Sequence, residues 1–132
     1  MTSSAAPRAI LEGVVERLER TGGLFFLVGT RKGAGKTTTL NALVAAHPKA
    51  RWGVTSLGVD GESEDLIFGR AKPQVVVEPD TIICTTDLAL AHSAVSAEVL
   101  RALPVRTPLG RLTIARARRR GAVLLVGLSL IH

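Results

Sequence analysis

A single cysteine, Cys84, rules out a disulfide within the chain and any metal site built on cysteines. It lies in an apolar run, "TIICTT", which suits a reducing, cytoplasmic setting. Aromatic residues are almost as scarce: there is no tyrosine, with three phenylalanines and one tryptophan, so valine, leucine, isoleucine and alanine must fill the core. The stacking platforms that single-stranded nucleic acid requires are missing with them. Long apolar runs are absent as well, since "LFFLVG" and "AVLLVGLSLI" fall short of the roughly 18 residues that span a bilayer. No membrane partner is expected. The N-terminal "MTSSAAPRAILEGVVERLERTGG" mixes glutamate and arginine with leucine and valine at helical spacing, unlike a secretory signal or an acid-poor transit peptide.

What the chain does have is a basic excess, a net charge of +6, concentrated at Arg111, Arg116 and the run Arg118, Arg119 and Arg120. Such a short run is most often a solvated turn, and without aromatic partners nucleic acid is not the expected ligand. The length, 132 residues, is that of one core, and no repeat or low-complexity linker divides it. The chain stops straight after an apolar, strand-like run. Residues 1–132 are therefore expected to be a single domain or the N-terminal part of a longer one.

Periodicity gives the order of elements. Leu11, Val14, Val15 and Leu18 after Pro7 predict an amphipathic helix from about residue 7 to 21, ended by Gly22 and Gly23. "LFFLV", Leu24 to Val28, reads as a strand buried on both faces. "KTTTLNALVAAH" returns to helical spacing and is closed by Pro48. "RWGVTSLGV" reads as a second strand, and "PQVVVEPDTIICTT" as two short strands about the turn Glu78-Pro79-Asp80. A helix is expected from Asp87 to about Ala102, then a hairpin in which "RLTIARA" turns at "RRRG" and returns as "AVLLVGL". The expected fold is an α/β, P-loop NTPase-like three-layer sandwich, with a mixed, partly parallel sheet and a C-terminal hairpin.

Between the first strand and the second helix stands "GTRKGAGKTTT", Gly29 to Thr39, which is nearly the phosphate-binding loop G-x-x-x-x-G-K-[ST]. Its first glycine falls one position early, at Gly29, leaving Thr30 in the expected place. That position mainly eases the exit from the strand, where backbone angles are at stake, so Thr30 can fill it and join the nucleotide-binding loop if its φ stays negative, with Gly29 absorbing any unusual angle. Gly33, Ala34 and Gly35 leave their amides open to an anion. Lys36 is spaced to reach the β- and γ-phosphates of ATP, Thr37 to ligate Mg²⁺, and Thr38 to donate toward the α-phosphate. Arg31 and Lys32 add positive charge at the tip, with Lys32 either a further phosphate contact or a solvated residue. The bland alternative is a glycine-rich turn, which must explain Gly-Lys-Thr between a strand and a helix as coincidence.

Hydrolysis also needs a carboxylate to hold the metal and place water. Asp60 and Glu62, after "GVTSL", are the candidates carried forward, with Thr55 or Ser56 as a switch-like neighbour; "DGESED" is equally readable as a solvated turn. Asp80 follows "VVVEP". Asp87 follows "TIICTT" as a metal-holding carboxylate would, but an Asp after threonine and before an apolar helix is also an ordinary helix-start residue, the preferred reading. His47, His92 and His132 are too scattered for a metal site and read as surface or helix-end residues.

Beyond the loop, "RWGVTSLGVDGESEDLIFGRAKPQVVVEP", "TIICTTDLAL" and "TPLGRLTIARA" resemble the ATPase-type reactivase subunit of adenosylcobalamin-dependent lysine 5,6-aminomutase. The resemblance runs from Gly29 to Gly127, and members of that family look longer. It implies ATP-driven release of damaged cobalamin from a stalled mutase, with a second reactivase subunit or the mutase itself as protein partner. Two other classes stay open: a small nucleotide or metabolite kinase whose C-terminal arginines clamp phosphates, and a non-enzymatic nucleotide or nucleic-acid binding module.

Overall fold

The computed structural model describes residues 12–13, 16–17, 20, 22–24, 26, 35–47, 49–60 and 74–127. In the N-terminal stretch the described residues Glu12, Gly13, Glu16, Arg17 and Arg20 are helical, as the apolar spacing requires. Helix α1 spans Lys36–Ala46 and buries Leu43 and Val44. Its last turn is satisfied at His47, whose amide donates to the Val44 carbonyl and whose own carbonyl accepts from Trp52 Nε1 at 3.1 Å.

Strands β1 (Gly53–Val54), β4 (Ile82–Thr86), β5 (Ala97–Thr107) and β6 (Gly110–Ala117) form a four-stranded sheet in the order β1-β4-β6-β5. β1 runs parallel to β4, with Val54 opposite Ile83, and the other two pairings are antiparallel. The fold is thus α/β with a mixed, partly parallel sheet. Two further ladders flank it: β2 (Val59–Asp60) with β8 (Leu125–Val126), and β3 (Val75–Val77) with β7 (Gly121–Val123), both antiparallel. Helix α2 (Asp87–Ala91) begins where β4 ends, with Thr86 as its N-cap, the Oγ1 accepting from the Ala89 amide at 3.1 Å.

One core serves all three ladders. Val54, Val75, Val77, Ile83, Val95, Ala117, Val123 and Leu125 pack together, with Leu40, Leu90 and Ala97 against them. Aliphatic side chains alone build this cluster, as the shortage of aromatics demanded. A polar stitch joins the ladders. Thr85, fully buried in β4, donates its hydroxyl to the Leu124 carbonyl at 2.8 Å and accepts from the Val126 amide at 2.9 Å. This ties β8 to the main sheet and leaves no hydroxyl unsatisfied.

Four sequence expectations need correction. The helix expected from Asp87 to Ala102 stops at Ala91, because Ser93 Oγ donates to the Ala89 carbonyl and accepts from Leu124, and the Val95 amide turns to Ala122. From Ala97 the chain is a strand. The expected C-terminal hairpin is not formed either: both edges of β6 are occupied, by β4 and β5, so β7 must pair elsewhere and does so with β3. The true hairpin is β5–β6, turning at Pro108 and Leu109. "RWGVTSLGV" is two short strands, not one, because β1 and β2 pair in different ladders. Of "LFFLV", the described residues Leu24 and Phe26 lie outside any strand and are 80% and 67% exposed, where burial on both faces was expected; Phe25, Leu27 and Val28 lie outside the described residues. Neither Leu24 nor Phe26 has a ladder partner among the described residues to bury it. The turn between β3 and β4 does fall at Pro79 and Asp80.

Candidate functional site

Helix α1 begins at Lys36, directly after Gly35, which serves as N-cap in the left-handed region at φ 91°. Only glycine adopts that angle without strain, so Gly35 lets the chain turn sharply into the helix. The first rung of the helical ladder is the Thr39 amide donating to the Gly35 carbonyl at 3.0 Å. The amides of Thr37 and Thr38 precede that rung, at the positive end of the helix dipole. No side chain caps the terminus and no acidic residue stands in the first turn. A helix start of this kind, glycine then lysine then two threonines, presents backbone donors with no acidic residue in its own first turn. Thr30, Lys32, Gly33 and Ala34 lie outside the described residues.

The helix is held from its other side. Asn41 donates from Nδ2 to the Gln74 carbonyl at 2.7 Å and accepts on Oδ1 from the Val76 amide at 2.9 Å. Leu43 and Val44 supply the apolar contact beneath. The start of α1 is therefore fixed to β3 through residues one to two turns along.

The carboxylates separate by position. In the parallel pair β1–β4 the carboxyl ends lead to Thr55 and Asp87, the end at which open α/β sheets place ligands. Asp80 sits in the turn before β4, at the opposite end, where such a site does not form. Asp87 Oδ1 accepts from the Leu88 amide at 2.7 Å and the Arg111 amide at 3.1 Å. This carboxylate caps the turn into α2 and pins the β5–β6 hairpin to it, which is the helix-start role preferred from the sequence. Asp60 lies in β2 opposite Leu125, and Glu62 lies outside the described residues. Thr55 donates its hydroxyl to the Cys84 carbonyl at 3.0 Å, across the parallel pair, and Ser56 Oγ accepts from the Gly58 amide.

His47 and His92 are the C-caps of α1 and α2, as helix-end residues, while His132 lies outside the described residues. Among the described residues no three His, Cys, Asp or Glu side chains converge on one point, and no helix is long and apolar enough to cross a membrane. The basic run resolves into separate settings. Arg116 pairs with Glu98 and Arg120 with Glu78, each at 2.9 Å, and Arg118 and Arg119 are exposed in the bend after β6. The sequence could not show this division, because the glutamates lie far along the chain, Glu98 in β5 and Glu78 just after β3.

Comparison with protein-family models, with curated proteins and with solved structures found no match to this chain.

Proposed function

We propose that this chain binds ATP with Mg²⁺ through residues Thr30 to Thr38 and couples nucleotide state to a protein partner as a P-loop ATPase. The observation that carries the proposal is the start of α1: a left-handed Gly35 followed at once by Lys36, Thr37 and Thr38 in a first turn without acidic side chains. A bound triphosphate complements the positive end of the helix dipole at such a terminus. In this reading Lys36 neutralises the outer phosphates, the Thr37 hydroxyl ligates the metal, and the backbone of Gly33 to Gly35 cradles the anion. Asp60 and Glu62 remain the proposed carboxylates for hydrolysis, since Asp87 is occupied and Asp80 is at the wrong end of the sheet.

The resemblance of the later segments to the lysine 5,6-aminomutase reactivase supports an ATP-dependent reactivase as the particular role, with the mutase or a second subunit as partner. A kinase is supported less well. Of the C-terminal arginines that would form its phosphate lid, Arg111 and Arg116 are held in β6 between two neighbouring strands and Arg120 pairs with Glu78. Calorimetric titration with MgATP tests the proposal. Lys36→Ala is expected to weaken binding about 10- to 100-fold, the worth of one charge-assisted contact. Binding by that variant as tight as by the parent chain would end the phosphate-loop reading, and hydrolysis stimulated by the mutase would support the particular one.

A further inference from the structure

In the β5–β6 ladder two arginines face each other. Arg106 of β5 is paired directly with Arg111 of β6, just before the turn at Pro108 and Leu109. Side chains at directly opposed positions stand about 4.5–5.5 Å apart at Cβ, and like charges there are unfavourable. Neither guanidinium makes an ion pair or a side-chain hydrogen bond among the described residues. The exposed carboxylate of Asp87 accepts from the amides of Leu88 and Arg111 through Oδ1 and forms no ion pair with either guanidinium.

The same ladder shows the alternative. Toward its other end Glu98 faces Arg116 in direct register, and the two form a salt bridge at 2.9 Å. There, Arg120 is likewise matched by Glu78. One end of the ribbon is thus joined by ion pairs, while at the other two arginines face each other without one among the described residues. Two exposed leucines lie at that end, beside the exposed Asp87: Leu109 in the turn is 43% exposed and Leu88, next to Gly110, is 54% exposed. Exposed leucines next to paired arginines fit a protein surface, since an inorganic anion gains nothing from the leucines.

We propose that the Arg106–Arg111 end of the hairpin, with Leu88 and Leu109, is a docking surface for a partner protein segment that carries carboxylates flanked by aliphatic side chains. Carboxylate oxygens between the two guanidiniums would relieve the like-charge pair, and the leucines would be covered by the partner's aliphatic groups. A second copy of this chain does not fit, because it would set arginines against arginines. Pairing along the outer edge of β5 is also opposed by Pro104 and by the two register shifts in that strand. Single-stranded nucleic acid is disfavoured because residues 74–127 contain no Phe, Tyr or Trp to stack on a base. This surface uses neither Lys36 nor its loop, so it stands or falls separately from nucleotide binding.

Amide NMR titration of the full chain tests it, with a short synthetic peptide of alternating glutamate and leucine as probe. Its lysine-for-glutamate counterpart, inorganic phosphate and a double-stranded oligonucleotide serve as comparisons. The acidic peptide is expected to shift the amides of Leu88, Leu109 and Arg111, and Arg106→Glu to weaken it about tenfold. That substitution recreates the Glu–Arg pairing seen at Glu98 and Arg116, so it should raise Tm by roughly 2 °C while binding is lost. Arg106→Gln, which removes charge without reversing it, gives the same direction should the reversal disturb folding. Arg119→Glu, in the distant bend, should leave peptide binding unchanged. The proposal is overturned if Arg119→Glu weakens the peptide as much as Arg106→Glu does, if those amides do not move, or if phosphate or the oligonucleotide binds there more tightly than the peptide.

Discussion

Asn41 pairs with Val76 as a neighbouring strand would. Its carboxamide accepts from the Val76 amide at 2.9 Å and donates to the Gln74 carbonyl at 2.7 Å, on the edge of β3 that no strand among the described residues occupies. An open edge invites pairing with other chains, and here a helix residue bonds to it. The same bonds fix α1, whose first residues are the proposed phosphate contacts. Asn41→Ala removes both hydrogen bonds and leaves the half-buried Val76 amide without its partner, so a loss of about 1–3 kcal/mol is expected. Urea unfolding should show a lower midpoint with an unchanged slope. Asn41→Asp keeps the acceptor and loses the donor, and should fall between the two. An alanine variant as stable as the parent would show that Leu43 and Val44 hold the helix alone.

The elements whose identity depends on neighbours close in sequence were legible, and those decided by distant pairing were not. Leu40, Leu43 and Val44 mark α1 by spacing, Gly35 marks its start, and Pro79 and Asp80 mark the turn between β3 and β4. In "AEVLRALPVRT" the residues Glu98, Leu100, Arg101 and Ala102 are good helix formers, yet the segment is the longest strand. Pairing with β6 overrides that local preference, as sheet context commonly does. Two signals spoke for the strand: Pro104 inside the segment, and Pro108 to Gly110 as a turn between two apolar runs. For the site, the helix start could be read from Gly-Lys-Thr itself. The roles of Asp80 and Asp87 could not, because which end of the sheet each occupies follows from the parallel pairing of β1 with β4.

Gly110 closes the β5–β6 hairpin at φ 116°, an angle that L side chains rarely adopt. Space is short as well as angle. A Cβ at that position would overlap Asp87 Oδ1 and approach Leu88 Cγ to 3.1 Å. Gly110→Ala should therefore cost about 2–3 kcal/mol, more than either strain or crowding alone. Asp87→Ala should cost less, about 1–2 kcal/mol, for the two amides it leaves without an acceptor. Because the new methyl collides with Asp87, the double variant should be less destabilised than the sum of the two single ones. Strict additivity in denaturant unfolding would mean that the carboxylate and the glycine do not constrain each other.

Glu98 and Arg116 set the acid behaviour of the sheet. The hydrogen bond from Arg116, and then its charge, hold the Glu98 carboxyl below the usual carboxylate range; slight desolvation opposes this and Arg118 adds to it. The same contact raises Arg116, which stays charged throughout. A carboxyl depressed in the folded state contributes stability that is present above its unfolded value and is lost as pH falls through the folded one. The window for this pair is therefore the acid range, and neutral pH should show no slope from it. Both side chains are about half exposed, at 47% and 43%, so the contribution is small and should shrink further in high salt. Carbon-detected NMR titration of the Glu98 carboxyl is the direct measurement. In the parent chain its midpoint should lie below the ordinary glutamate range, and in Arg116→Gln it should return toward that range. An unmoved midpoint in the variant would mean that the cross-strand contact is not what lowers it.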